Sequence, residues 1–303
     1  MNVLSLFDGM ACGRIALEKL GIKVDKYFSS EIDKYAMEIA KKNYPDIIHV
    51  GDVQDVSYPE TFDGHKIDLI IGGSPCQGFS FAGQRLNFDD PRSKLFFEFA
   101  RLVKECKPKY FLLENVSMKQ ESQDVITEIL GVEPVAINSN LVSAQNRQRL
   151  YWTNIPFDEQ PDDKGILLKD ILEDYHQIGA EHFHSAKAVA YMERGNDKWA
   201  QAGSRRADGY TQTPDKEKAF TLTANIYKGV PYNYFEDTRA TLRPKLSRPS
   251  SHFRKLTPIE CERLQTVPDN YTEGVSNTQR YKMLGNGWTV DVIAHIFKGL
   301  SAD

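Results

Sequence analysis

Residues 2–20 read NVLSLFDGMACGRIALEKL: an apolar run from Val3 to Phe7, a turn that carries Gly9 and Gly13, and then the start of a helix. An extended run that breaks at glycines and restarts as a helix is the opening unit of an α/β fold. The same alternation continues outward to about residue 155. Strands are predicted at Lys26–Ser30, Ile47–Val50, Ile67–Gly73, Lys109–Leu113, Val135–Ile137 and Leu150–Asn154. Between two of them Leu95, Phe99, Leu102, Val103 and Cys106 fall three and four apart, one buried helix face. The expected architecture is a Rossmann-like, mainly parallel sheet with helices on both faces, joined to a smaller irregular domain.

After Ile155 the pattern breaks into short segments punctuated by Pro156, Pro161, Gly165, Gly179, Gly195, Gly203 and Gly209. Residues 1–156 are expected to form the catalytic and cofactor-binding domain, 157–255 a second domain, and 256–303 a segment that returns to the first. Thr257-Pro258-Ile259-Glu260 supplies a cap, a first-turn proline and a reciprocal glutamate, so a helix should start there. A last helix is expected from Val290 to Leu300.

The 303 residues are 41% hydrophobic and 26% charged, which excludes a disordered or fibrous chain. No apolar run reaches the roughly 18 residues of a membrane span, and the start lacks a secretory pattern, so a cytosolic protein without membrane contact is expected. The four cysteines (Cys12, Cys76, Cys106, Cys261) form no CxxC or Cys/His cluster. That argues against a disulfide scaffold and a metal module. Net charge is −4, yet residues 201–255 hold eleven Lys or Arg against five Asp or Glu, interleaved with Tyr210, Phe220, Tyr227, Tyr232, Tyr234 and Phe253. This is a candidate nucleic-acid surface, with a solvated basic loop as the plain alternative.

Polar or glycine-rich residues follow five strands: Asp8 through Gly13, Glu31, Asp52, Ser74-Pro75-Cys76, and Glu114-Asn115. In an open parallel sheet the carboxyl ends of the strands line one crevice, so these should converge. Gly9 and Gly13 allow close backbone approach, and Glu31 is placed to accept ribose hydroxyls. The spacing departs from GxGxxG, so a pyrophosphate is poorly supported. Adenosine without phosphates would still want Glu31 and a later acid, Asp52, for its amine, and S-adenosylmethionine fits that description. Cys76, in the same crevice near backbone N–H groups, is indicated as a nucleophile. The stretch from Gln77 to Arg92 suits either a lid or a plain surface loop.

The strings FDGMACGRIAL from Phe7, GGSPCQGFS from Gly72, ENV from Glu114, QNRQR from Gln145, RKLTPIECERLQ from Arg254 and MLGNGWTVDVI from Met283 resemble, in content and order, the cytosine-C5 DNA methyltransferases. The resemblance spans nearly the whole chain. It implies that Cys76 adds to C6 of a cytosine turned out of duplex DNA, that Glu114, carrying a proton, serves N3 and the exocyclic amine, and that Arg149 meets O2, with Arg147 nearer the phosphate or the loop. S-adenosylmethionine is the implied cofactor, without a metal. Its pocket would draw on Phe7, Asp8, Gly9, Met10, Gly13, Glu31, Ile32, Asp52, Val53, Pro75, Leu95, Asn286 and Trp288. Where many members have consecutive glycines this chain has Ala11 and Cys12, which shifts the second glycine to Gly13 and leaves the contacts to the methionine carboxylate less well defined. Gln77, Ser80 and Arg92 in the lid, with Arg205, Arg206 and Lys228, are assigned to DNA.

Double-stranded DNA is the expected partner, with a companion endonuclease if the enzyme belongs to a restriction–modification pair. Asp8, Gly13 and the Trp288 segment are similar to the animal de novo enzymes, whereas the compact size suits bacterial or phage members. The expected location is the cytoplasm, or the nucleus for a eukaryotic enzyme. Two alternatives stand beside this reading: the family's tRNA-directed branch, whose recognition-domain signature is missing here, and a non-catalytic DNA-binding relative, which would be expected to have lost Cys76, Glu114 or Arg149.

Overall fold

The computed structural model describes residues 1–74, 91–191, 194, 211–228, 234–239 and 253–301. Pro75, Cys76, Gln77, Ser80, Arg205 and Arg206 lie outside the described residues, as does the side chain of Arg92.

Contacts divide the chain into two compact units. The first comprises 1–138, 148–162 and 290–303, the second 139–147 and 163–289. This division differs from one drawn at 156 and 255: residues 139–147 and 256–289 make their contacts within the second unit.

The first unit is built on a seven-stranded sheet of β1 (Asn2–Leu6), β2 (Lys26–Ser30), β3 (Ile48–His49), β4 (Leu69–Gly72), β5 (Tyr110–Val116), β6 (Val135–Asn138) and β7 (Gln148–Thr153), in the order β3-β2-β1-β4-β5-β7-β6. All seven predicted strands are present. The first five run parallel, whereas β7 is antiparallel to both β5 and β6. The order reverses direction at β1 and β4, the switch point where such sheets bind ligands.

Strand alternation sends successive side chains to opposite faces. On one face Leu4, Leu6, Ile70 and Leu113 join Phe96, Phe99 and Leu102 of α3 (Pro91–Cys106) in the main core. On the other, α1 (Cys12–Lys19) lies so close that a methyl on Gly13 would strike Ile71. The terminal helix α8 (Val290–Phe297) packs on α1, and Asp291 receives Lys19 of that helix. Helices therefore cover both faces. Helices α2 (Lys34–Asn43) and α4 (Gln120–Leu130) complete the connections. Cys106 and Cys12 are buried, as expected for packed thiols.

The second unit holds a small sheet, β8 (Thr211–Gln212), β9 (Tyr234–Glu236) and β10 (Phe253–Arg254), and among its helices α5 (Leu168–Ile171), α6 (Pro258–Leu264) and α7 (Asn277–Asn286). The predicted capping box of α6 is present: Glu260 N–H donates to Thr257 Oγ1 at 3.1 Å, and Thr257 N–H to Glu260 Oε2 at 2.8 Å. Its polar core is ionic. Arg254, fully buried, donates to Asp237 at 2.8 Å and to both oxygens of Glu260 at 2.7 and 2.8 Å, with its guanidinium 4.7 Å from the Phe235 ring centre. Among the described residues no helix is long and apolar enough to cross a membrane.

Candidate active site

The loop after β1 is the most unusual backbone in the first unit. Phe7, Gly9 and Ala11 have φ of 56°, 60° and 66°, three left-handed residues in five. Phe7 and Ala11 hold that conformation against the usual Cβ penalty, a form of strain that collects at ligand sites. What holds the loop is Asp8. Its Oδ1 accepts Ser5 Oγ at 2.5 Å and Tyr27 Oη at 2.8 Å, and its Oδ2 accepts Ser29 Oγ at 2.8 Å. Burial pushes the carboxyl up to about 6 despite these donors, and Glu31 adds to the rise. The Asp8 side chain, expected among the cofactor contacts, thus points into the protein, and Met10 is fully buried. Both side chains are drawn inward, Asp8 by the three hydroxyls and Met10 by packing.

Glu31 lies just past β2. Its Oε2 accepts Gly9 N–H at 2.7 Å, and its Oε1 accepts the N–H groups of Ile32 and Asp33, each at 2.8 Å. These bonds lock the carboxylate to the glycine loop. Oε2 takes one N–H, which leaves a lone pair for a hydroxyl. Beside it Ile32 is 75% exposed, an apolar side chain in the open at a strand end. Asp52 caps the turn Val53–Asp55 through Oδ1 to Gln54 N–H at 3.0 Å, while Oδ2, which among the described residues meets the Gln54 amide at 3.4 Å, has a lone pair that can take an amine. Val53 is buried and Leu95 half-buried against the main core. A hydroxyl-accepting acid, an amine-accepting acid and an exposed aliphatic side chain fit a nucleoside with no phosphate.

Further along the same edge, β5 and β7 bring a second pair together. Glu114 stands opposite Tyr151 and Arg149 opposite Val116, so the two are diagonal neighbours on one face. Arg149 Nε is 3.0 Å from Glu114 Oε1, and both side chains are nearly buried. Arg149 Nη1 also donates to Gln148 O at 2.8 Å. Glu114 and Asn115, expected in a loop after the strand, belong to β5. The antiparallel partner β7 keeps the ladder going through Val116, and this was not visible in a pattern that suggested parallel neighbours. Asn115 Nδ2 lies 3.3 Å from both the carbonyl and the hydroxyl of Ser74. It ties β5 to the residue that leads into Pro75-Cys76, a role that the string ENV does not reveal by itself.

In the second unit Arg147 is 3% exposed and donates to the carbonyls of Leu222 at 2.8 Å, Gly285 at 3.2 Å and Gly287 at 2.9 Å. It staples backbone rather than facing solvent. Gln145 and Gln265 extend the same buried network. Gln145 Nε2 donates to Leu264 O at 2.6 Å and to Gln265 Oε1 at 2.9 Å, and Gln265 Nε2 donates to Leu284 O at 2.6 Å. Asn286, the last residue of α7, is exposed, and Trp288 is buried. Lys228 is exposed with its ammonium 5.6 Å from the Tyr227 ring centre. Cys261 is fully buried, and burial drives its thiol far up, so it is inert.

The strand ends of one doubly wound sheet thus carry the Glu31 and Asp52 carboxylates and the Glu114–Arg149 pair, the edge at which sheets of this class bind ligands. The C-5 cytosine-specific DNA methylase family matches residues 1–302, and the chain belongs to that family. It is similar to the type II methyltransferase M1.ScrFI of Lactococcus lactis subsp. cremoris, 32% identical over 96% of this chain and 76% of that protein. It is also similar to the type II methyltransferase M.HpaII of Haemophilus parainfluenzae, 31% identical over 96% of this chain and 86% of that one. In fold it is similar to the S. pombe Dnmt2 methyltransferase, with a TM-score of 0.75 at 19% identity and 99% of each chain covered. A putative DNA modification methyltransferase encoded in an E. coli prophage gives a TM-score of 0.69 at 21% identity, covering 99% of this chain and 98% of that one. The chain is thus a cytosine-C5 methyltransferase of the DNA methylase family.

Proposed function

We propose that this enzyme methylates C5 of cytosine in double-stranded DNA through a transient bond between Cys76 and C6 of a flipped base. The observation that carries the reading is the Glu114–Arg149 pair at the sheet edge, tied through Asn115 to Ser74, two residues before Cys76. A pyrimidine seated there would meet a carboxyl group at N3 and the exocyclic amine, and a fixed fork of donors at O2. C5 of cytosine is a poor nucleophile, so the Cys76 thiolate first adds to C6. The electron pair moves toward C5, and Glu114 donates a proton to N3 as charge develops there. Once C5 carries the methyl group, a base removes the C5 proton, the Cys76–C6 bond breaks, and N3 returns its proton to Glu114, which restores the aromatic ring and the enzyme.

S-adenosylmethionine, when bound, supplies an electrophilic methyl group. In this reading Phe7, Gly9, Glu31, Ile32, Asp52, Val53, Pro75 and Leu95 hold it, with Asn286 and Trp288 contributing from the last motif and Gly13 allowing α1 to start close to it. Asp8 and Met10 support the loop from inside. Gln77, Ser80, Arg92, Arg205, Arg206 and Lys228 are proposed to hold the DNA, and residues 157–255 to read its sequence. A companion restriction endonuclease and a cytoplasmic location are part of the same proposal, which the similarity to type II methyltransferases supports.

The test is transfer of labelled methyl from S-adenosylmethionine to duplex DNA and, in parallel, to tRNA, by the wild type and by Cys76→Ala. Labelled 5-methylcytosine in duplex DNA alone, abolished in the variant while DNA binding persists, is expected. Labelling of tRNA alone would move the enzyme to the family's RNA-directed branch, and an active Cys76→Ala would refute the covalent route.

A further inference from the structure

Lys218 counts toward the basic excess of residues 201–255, yet its ammonium does not face solvent as a phosphate ligand would. Nζ donates to the carbonyls of Asn140 at 2.7 Å, Ser143 at 3.2 Å and Ile166 at 2.6 Å. An ammonium has three N–H donors, and all three are taken. Two of the three acceptors belong to one short stretch, 139–147, which folds as a 3-10 turn (Ser139–Leu141) and then runs into Gln145-Asn146-Arg147. The residues after Lys218 continue along that stretch. Ala219 N–H donates to Ala144 O at 2.7 Å, Asn146 N–H to Ala219 O at 2.9 Å, and Leu222 N–H to Gln145 Oε1 at 3.1 Å. Lys218 gathers these carbonyls at one spot, where like dipoles repel, and its charge offsets that repulsion.

We infer that Lys218 is a positioning residue for methyl transfer: it is a fixed cation that sets the course of residues 139–147, and thereby where the chain delivers Arg149 at the start of β7. The inference rests on the reading that Arg149 meets the target base. Its chemistry separates it from DNA binding. Arginine serves a phosphate at least as well as lysine does, but it spreads its donors over a longer planar fork, whereas the three carbonyls here surround a single nitrogen.

The experiment compares Lys218→Met and Lys218→Arg in the full chain. Turnover on duplex DNA, the salt dependence of DNA binding, and hydrogen–deuterium exchange of the peptide spanning 139–149 are measured together. Expected is a fall in kcat on the order of tenfold to a hundredfold in both variants, the size that a displacement of about 1 Å in a positioned group produces. The salt slope should keep its wild-type value, and faster exchange should be confined to 139–149. A slope that drops by about 0.9 in Lys218→Met and recovers in Lys218→Arg, with kcat unchanged, would make Lys218 a phosphate ligand and overturn the inference. A chain-wide rise in exchange would overturn it as well, since the residue would then support the whole unit. Arg149→Ala tests the underlying reading separately. If that variant methylates normally the base-pocket assignment fails, while the local exchange result for Lys218 still stands or falls on its own.

Discussion

Asp8 holds the loop after β1 from inside. Three hydroxyls converge on its carboxylate, and the backbone around it is held left-handed at Phe7, Gly9 and Ala11. Burial raises its folded-state value to about 6, above the 3.8 of an ordinary aspartate, so between those values the folded chain holds more protons than the unfolded one. The resulting stabilisation is complete below the lower value and is lost as pH rises through the upper one. Asp8→Asn, neutral throughout, should therefore be more stable than the wild type at pH 7 relative to pH 4 by up to about 3 kcal/mol, read from urea unfolding at each pH. Parallel curves for the two proteins would contradict this. Asn115 is the second such residue. Asn115→Ala frees Ser74 and should lower kcat about tenfold or more with little change in cofactor affinity, measured by single-turnover transfer and by titration. Equal losses in both would place Asn115 in cofactor binding instead. From sequence, Asp8 and Asn115 were legible as members of a strand-end cluster, but which way each side chain turns depends on Tyr27, Ser29 and Ser74, neighbours supplied by other strands.

At the scale of elements, the alternation of apolar runs and helical periods located all seven strands because each carries a short apolar run bounded by turn residues. Strand direction was less legible. The reversal of β7 depends on pairing with β5 and β6, and that pairing extends β5 through Glu114 and Asn115 and makes Glu114 and Arg149 diagonal neighbours. A periodicity argument sees one strand at a time and cannot supply this. The Gly285-Asn286-Gly287 turn is held by Arg147 and Gln265 together. A methyl on Gly285 would run into the backbone of Thr223 and Ala224, which cannot rotate away as a side chain would. Gly285→Ala should therefore destabilise the protein by roughly 1–3 kcal/mol or more, seen as a lowered denaturation midpoint. An unchanged midpoint would mean that the segment from 222 to 224 moves freely.

Over the whole molecule, composition exaggerated the basic surface. Of the eleven cations between 201 and 255, Arg254 is fully buried in ion pairs, Arg239 is paired with Asp237 at 2.6 Å, and Lys218 is spent on carbonyls. Burial pushes Asp237 up, but the bonds from Arg239 and Arg254 outweigh it and hold the carboxyl below its usual range. A count of charges cannot see this, since an arginine locked between acids and one reaching for a phosphate look alike in sequence. Arg254→Met should leave the salt slope of DNA binding unchanged and destabilise the fold by roughly 3–5 kcal/mol, because Asp237 and Glu260 lose a buried partner. Lys216→Met and Lys228→Met, at exposed positions, should instead each lower the slope. The reverse pattern would move the DNA surface elsewhere. The central claim concerns Cys76, and the most direct measurement is mass spectrometry of the enzyme after incubation with S-adenosylmethionine and a duplex carrying 5-fluorocytosine at the target. Fluorine cannot leave as the C5 proton does, so the account predicts a stable protein–DNA adduct that carries one added methyl group and maps to Cys76. No adduct on a duplex whose unfluorinated form is methylated, or an adduct at Cys12, Cys106 or Cys261, would contradict it.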